Sequence, residues 1–236
     1  MRLLKIIILT ALALLIGAAW LISPHEATVP QEAKAPQEAK APQKVSSFSV
    51  LGDSYAEGAG AGRPGDGWVP LLAADLCWKL VNNASEGGTG YVNDGGAEGK
   101  SAIPTRLGDA VAGKPQLVIV EGGFNDDGFP PEQVTAAADR TFMDLRSALG
   151  PSPSIVVIGP VASPGKPATV LRPISDAIRQ AAKKNGVLYV DPIEENWLAE
   201  PELFVSDGYH PNSAGHRQYA SRLESNLKDI GASGCK

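Results

Sequence analysis

The sequence predicts an α/β fold for residues 46–236: a three-layer α/β/α sandwich with a five-stranded parallel sheet in a flavodoxin-like winding. Three observations carry that expectation. Short apolar runs recur along the segment, and the stretches between them place apolar residues three or four apart, so strands alternate with amphipathic helices. The composition, 43% hydrophobic and 20% charged, can build a core, and the segment's length suits one domain. Strands that are apolar throughout are buried on both faces, which calls for helical crossovers and a parallel sheet. Such sheets bind ligands at the carboxyl ends of their strands.

The elements follow in chain order. The first strand is expected near Phe48–Leu51, ending in Gly52-Asp53-Ser54. A helix carrying Trp68, Leu71 and Leu72 follows, with Trp68 expected in the core, and a second strand near Lys79–Val81. The third strand, near Leu117–Glu121, precedes a helix whose face is traced by Val134, Ala138, Phe142, Leu145 and Leu149. The fourth, near Ser154–Ile158, precedes a helix with Leu171, Ile174 and Ile178 on one face. The fifth, near Val187–Val190, ends at Asp191, where a turn is expected. Tyr219, Leu223, Leu227 and Ile230 mark a last helix.

Charge and cysteines exclude some functions. A net charge of −5 and a pI near 5.3 offer no basic footprint for a phosphate backbone, so no nucleic-acid partner is expected. The two cysteines, Cys77 and Cys235, lack the spacing of a zinc cluster.

The amino terminus differs from the rest. Ile6 to Ile22 carries no charge and follows Arg2 and Lys5, the pattern of a secretory signal or membrane anchor. Counted from Leu3, with Lys5 snorkelling, it is about the 20 residues that cross a bilayer. His25-Glu26-Ala27 is a poor cleavage site because its first position is bulky, so residues 1–22 are expected to remain as an anchor, with the rest of the chain outside the membrane. Residues 23–45 contain the repeat Gln31-Glu32-Ala33-Lys34-Ala35-Pro36, then Gln37-Glu38-Ala39-Lys40-Ala41-Pro42. It has nothing large to bury and its prolines favour extension, so a stalk is expected.

Ser54 stands where a strand end presents a side chain above the sheet, but serine is a weak nucleophile without a base held by a third group. Asp207-Gly208-Tyr209-His210 supplies both: a carboxylate three residues before a histidine can orient one ring nitrogen and leave the other for the serine. Gly52-Asp53-Ser54, Gly88 after Asn83-Ala84-Ser85-Glu86-Gly87, Gly123-Phe124-Asn125-Asp126 and Asp207-x-x-His210, in that order, resemble the SGNH or GDSL hydrolases over essentially residues 46–230.

The resemblance implies Ser54 as nucleophile, His210 as general base and then acid, and Asp207 as its orienter. It implies an oxyanion hole made by the N–H groups of Ser54 and Gly88 and the amide of Asn125. No metal and no cofactor is implied. The expected activity is that of an extracytoplasmic serine esterase acting on a small-molecule or glycan ester, an O-acyl glycan or a lipid ester, through an acyl-serine. The alternatives are an acyltransferase with the same triad, or a non-catalytic glycan-binding module.

Other residues receive plainer readings. Asp53 is expected behind the site, Asp126 and Asp127 as caps of the next turn, and His216 in local packing. Gly60-Ala61-Gly62-Arg63-Pro64-Gly65 matches a dinucleotide fingerprint but starts nine residues past the strand, so a flexible loop flanking the site is expected instead. The winding puts the first and last helices on one face of the sheet, which makes a Cys77–Cys235 disulfide plausible outside the membrane.

Overall fold

Five short strands form the sheet in a computed structural model that describes residues 45–96, 100–151 and 154–229: β1 (Ser47–Leu51), β2 (Lys79–Asn83), β3 (Leu117–Glu121), β4 (Ser154–Ile158) and β5 (Leu188–Val190). The chain divides into two units, Met1–Ala39 and Lys40–Lys236, and the described residues all lie in the second. Every neighbouring pair is parallel and the order is β2-β1-β3-β4-β5. The chain winds from β1 to one edge, then reverses to run through β3, β4 and β5. The switch point therefore lies between β1 and β3, where a flavodoxin-like sheet binds its ligand.

The central strands are apolar on both faces because helices cover both. All five residues of β3 are buried. Alternation along the strand divides them: Leu117 and Ile119 face one layer, Val118 and Val120 the other. The helices are α1 (Ser54–Glu57), α2 (Trp68–Leu76), α3 (Leu107–Val111), α4 (Pro131–Leu149), α5 (Ala168–Asn185) and α6 (Ser213–Asp229). On one face α2 and α6 bury Trp68, Leu72, Leu76, Tyr219, Leu223 and Leu227. The Trp68 ring stacks on Tyr219 at 5.1 Å, and Trp197 meets Tyr219 edge-on at 4.9 Å. On the other face α4 and α5 bury Val134, Ala138, Phe142, Leu145, Leu171, Ile174 and Ile178, although Leu171 turns towards the first cluster.

Leu149, expected on the buried stripe of α4, is only partly buried. Ile230 lies outside the described residues, as do the expected anchor, 1–22, and the expected stalk except its last residue. Among the described residues no helix is long and apolar enough to cross a membrane. Cys77 ends α2 in a left-handed conformation and is not a free thiol; its expected partner, Cys235, lies outside the described residues.

Candidate active site

The nucleophile half begins where β1 stops at Leu51 and α1 starts at Ser54. Asp53 makes that turn: its Oδ1 accepts from the Tyr55 N–H at 2.9 Å and caps α1. Ser54, as the first helical residue, keeps its own N–H outside the helical ladder. Gly52 is required by crowding, since a Cβ there would lie 2.7 Å from Ala56 Cβ and 2.8 Å from Glu121 Oε2.

The base half comes from the loop before α6. His210 Nε2 is 3.0 Å from Ser54 Oγ, and His210 Nδ1 is 2.7 Å from Asp207 Oδ2. With Nδ1–H donated to the carboxylate, Nε2 is left to accept from the serine hydroxyl. Asp207 Oδ1 accepts from the N–H groups of Tyr209 at 2.7 Å and His210 at 3.0 Å. Partial burial pushes the Asp207 carboxyl up, but the bonds from the His210 ring and these two amides outweigh it and hold it below its ordinary value.

The glycine-rich loop expected to flank the site as a flexible segment is instead bonded beneath this histidine. Gly60, at φ +87°, passes so close that a Cβ would lie 2.3 Å from Pro211 O and 3.1 Å from His210 Cβ. Gly62 N–H donates to Ser213 Oγ at 2.9 Å, Ser213 donates to Asp66 at 3.0 Å, and His216 Nε2 is 2.9 Å from Ala59 O. Tyr55 OH completes the support by donating to Tyr209 O at 2.6 Å.

Gly88 and Asn125 come to the same place from the ends of β2 and β3. Together with Ser54, His210, Phe124, Asp127, Lys166 and Tyr209 they line an open pocket of about 460 Å³. Gly88 adopts φ +80°, which favours glycine and leaves its backbone open to the pocket. Asn125 Nδ2 donates to Thr89 O at 2.8 Å, a bond that fixes which way the amide points. Its second hydrogen has an acceptor too, Asp53 Oδ2 at 3.3 Å, so the amide is not aimed solely at the pocket, as the motif alone would suggest. That bond is long enough to be exchanged for one to an oxyanion.

A buried polar layer supports these groups. Arg106 NH1 donates to Gly52 O at 3.1 Å and Ala84 O at 2.6 Å, and NH2 to Thr89 Oγ1 at 2.8 Å, tying the serine turn to the Gly88 loop. Burial lowers its pKa, and Glu86, 3.8 Å away, opposes that shift. Sequence reasoning missed Arg106 because a lone arginine in a connecting segment carries no pattern. Asp126 and Asp127 do not cap the next turn as expected. Asp126 accepts from the N–H groups of Tyr91, Val92 and Asn93 at 2.8, 2.9 and 3.0 Å, and burial raises its pKa in spite of them. Asp127 pairs with Lys166 at 2.9 Å. Asp191 does make the expected turn, accepting from Ile193 and Glu194 N–H.

Residues 50–218 match the model of the GDSL-like lipase/acylhydrolase family. The chain belongs to that family. It is 33% identical over 189 residues to a GDSL lipase of Mycobacterium tuberculosis, covering 76% of this chain and 80% of that protein. As a GDSL family member the chain is a carboxylic ester hydrolase. Solved structures share the GDSL fold at lower identity. The psychrotrophic esterase EstA from a Pseudoalteromonas species is 18% identical with a TM-score of 0.62, covering 78% of this chain and 97% of that one. A family two carbohydrate esterase from Clostridium thermocellum, in complex with cellohexaose, is 19% identical with a TM-score of 0.62, covering 80% of this GDSL chain and 66% of that one.

Proposed function

We propose that the chain hydrolyses short acyl esters of a polyhydroxylated, glycan-like alcohol outside the cytoplasm, through an acyl-Ser54 intermediate. The observation that carries the chemistry is the line of contacts from Ser54 Oγ to His210 Nε2, 3.0 Å, and from His210 Nδ1 to Asp207, 2.7 Å. His210 takes the serine proton as Oγ attacks the ester carbonyl and returns it to the departing alkoxide; water then repeats the sequence in reverse to release the acid. Asp207 holds the ring and stabilises the imidazolium. The N–H groups of Ser54 and Gly88 and the amide of Asn125 meet the negative oxygen.

The lining of the pocket supports the substrate class. Among the described residues, only Phe124 and Tyr209 bring large apolar surface to it. That is little for a long acyl chain, whose burial contributes about 0.8 kcal/mol per CH₂. Tyr209, 41% exposed, offers a ring face, and the Lys166–Asp127 pair offers donors and acceptors to hydroxyl groups. A solved structural neighbour being a carbohydrate esterase holding cellohexaose agrees with this reading.

The test is turnover of p-nitrophenyl esters from acetate to laurate and acetate release from an acetylated glycan, with Ser54→Ala alongside. Acetate should be the best of the series, and Ser54→Ala should lower kcat on the order of 10⁶-fold. A laurate optimum would overturn the short-acyl reading, and an active Ser54→Ala the mechanism.

Residues 1–22 anchor the protein and 23–45 hold the hydrolase domain away from the membrane. Retention of the full chain in a detergent-extracted membrane fraction, with the domain open to external protease, is the expected outcome. A Cys77–Cys235 disulfide closes the domain. Alkylation without reductant followed by mass measurement should find no free thiol.

A further inference from the structure

The turn that follows β4 touches both halves of the site. Ser163 and Lys166 pair across it: Ser163 N–H donates to Lys166 O at 3.0 Å, and Lys166 N–H donates to Ser163 O and Ser163 Oγ, both at 3.1 Å. Towards the histidine, Gly165 N–H donates to Gly208 O at 2.8 Å, in the loop between Asp207 and His210. A Cβ on Gly165 would lie 2.5 Å from Tyr209 Cε1, so a side chain there would push the turn off that loop. Towards the oxyanion donor, Lys166 Nζ donates to Phe124 O at 2.8 Å and to Asp127 Oδ1 at 2.9 Å, and lies 4.4 Å from the centre of the Phe124 ring. With 16% of its side chain exposed, Lys166 is largely withdrawn from water that would compete for these bonds.

We propose that Lys166 is a positioning residue for ester hydrolysis: by holding the Phe124 carbonyl from a turn bonded to the histidine loop, it sets where Asn125 stands relative to His210. The inference rests on the reading of Asn125 as an oxyanion donor.

Phe124 O belongs to the peptide bond that leads into Asn125. That bond is planar, so a fixed carbonyl fixes the plane from which Asn125 starts. On the other side of its Cα, Asn125 O accepts from Asn93 Nδ2 at 2.8 Å, and the backbone is gripped before and after the side chain. The bond to Thr89 O then selects how the amide points. None of this depends on the long bond to Asp53, which can pass to the oxyanion while the backbone stays in place. An ammonium suits the position. Its three N–H groups can serve Phe124 O and Asp127 together, its charge strengthens both bonds, and the Phe124 ring adds cation–π attraction.

The experiment measures kcat and KM on p-nitrophenyl acetate for Lys166→Met, Lys166→Arg and Asn125→Ala, and for each lysine change in the Asn125→Ala background. This ester carries no free hydroxyl, so recognition of a glycan by Lys166 does not enter. Methionine has a stem of similar length and no donor. Lys166→Met should lower kcat about tenfold or more with KM within about twofold, since acylation and deacylation both pass through an oxyanion and a displaced donor is felt in the transition state. Lys166→Arg still donates to Phe124 O and should bring kcat back to within about threefold of the wild type. In the Asn125→Ala background the methionine change should cost less than about twofold, because the amide it positions is gone. The inference is overturned if Lys166→Met lowers kcat less than about threefold, if the loss lies in KM, if arginine is no better than methionine, or if the methionine factor is the same in both backgrounds. Should Lys166→Met fail to fold, Lys166→Gln, one bond shorter and uncharged, takes its place in the same comparisons. If Asn125→Ala itself leaves kcat intact, the oxyanion reading fails, and this inference falls with it.

Discussion

Ser54, Asp53, Glu121 and Arg106 are packed beneath the site with no more than 7% of each exposed, whereas the side chains of Asp207 and His210 lie in a loop at 42% and 30% exposure. The two halves of one catalytic site are thus built in different media. The nucleophile and oxyanion half works by dipoles fixed in advance in a low-dielectric layer, where a misplaced donor is costly and an unpaired group costlier still. The base half must take up and release a proton, and it sits where water can exchange with it. Substitutions in the exposed half should therefore lower activity with little loss of stability, and those in the buried half should lower both.

The largest separation is expected at Asp207. Asp207→Asn removes the carboxylate that selects the His210 tautomer, and by analogy with other triads kcat should fall by about 10⁴. Its exposure makes the ion pair worth about 1 kcal/mol or less, so Tm should move by only about 2–4 °C, measured by calorimetry on the same sample. A Tm loss well beyond that would erase the distinction between the halves.

Asn125→Ala should behave in the opposite way. Removing the oxyanion donor should cost about 2.7–4 kcal/mol of transition-state stabilisation, or on the order of 10²–10³ in kcat. It also leaves Thr89 O and the buried Asp53 Oδ2 without their amide partner. Stability measured by urea unfolding should drop with activity, and unchanged stability would show that water replaces the amide freely.

The same contrast explains what could be read from the sequence. The strands and the apolar helix faces were legible because periodicity records burial, and Ser54, Asp207 and His210 were legible because their chemistry demands those residue types at ordered positions. Arg106, Glu121 and Asp126 were not. Each acts through hydrogen bonds that reach residues 17 or more positions away in the chain, and a single buried charge leaves no periodic trace. The glycine-rich loop misled for a related reason. Glycine signals freedom of the backbone in isolation, but at Gly60 it serves a close approach to Pro211, which depends on where the histidine loop folds back.

That approach gives the next test. Gly60→Ala forces a Cβ into Pro211 O and into an unfavourable positive φ, displacing His210 from the serine. A shift of about 1 Å can cost on the order of 10² in rate, so kcat/KM should fall by about that factor. A Cβ at Gly65 would meet only open space, and Gly65→Ala in the same loop should be nearly silent. Equal effects from the two substitutions would mean that general loosening of the loop, and not support of His210, is being measured.

The smallest effect concerns His216, a buried histidine to which no catalytic role is assigned. His216 is fully buried, with Nε2–H donating to Ala59 O and Nδ1 without a hydrogen-bond partner among the described residues. A proton on Nδ1 would find no acceptor, and burial accordingly pushes the imidazole below its ordinary value of 6.5, with His210 nearby acting in the same direction. The unfolded chain then binds a proton that the folded chain refuses, so stability is full above pH 6.5 and falls as the pH drops below it. The buried acids Asp53 and Glu121 work in the reverse sense, because burial raises both pKa values and so favours the fold as the pH falls, and the wild type alone does not separate the two effects. His216→Gln keeps a donor for Ala59 and removes only the titration. The difference between the urea midpoints of the two proteins should therefore shift in favour of the variant between pH 6.5 and 5, and a difference that stays constant over that interval would show that His216 titrates alike in the folded and unfolded chain.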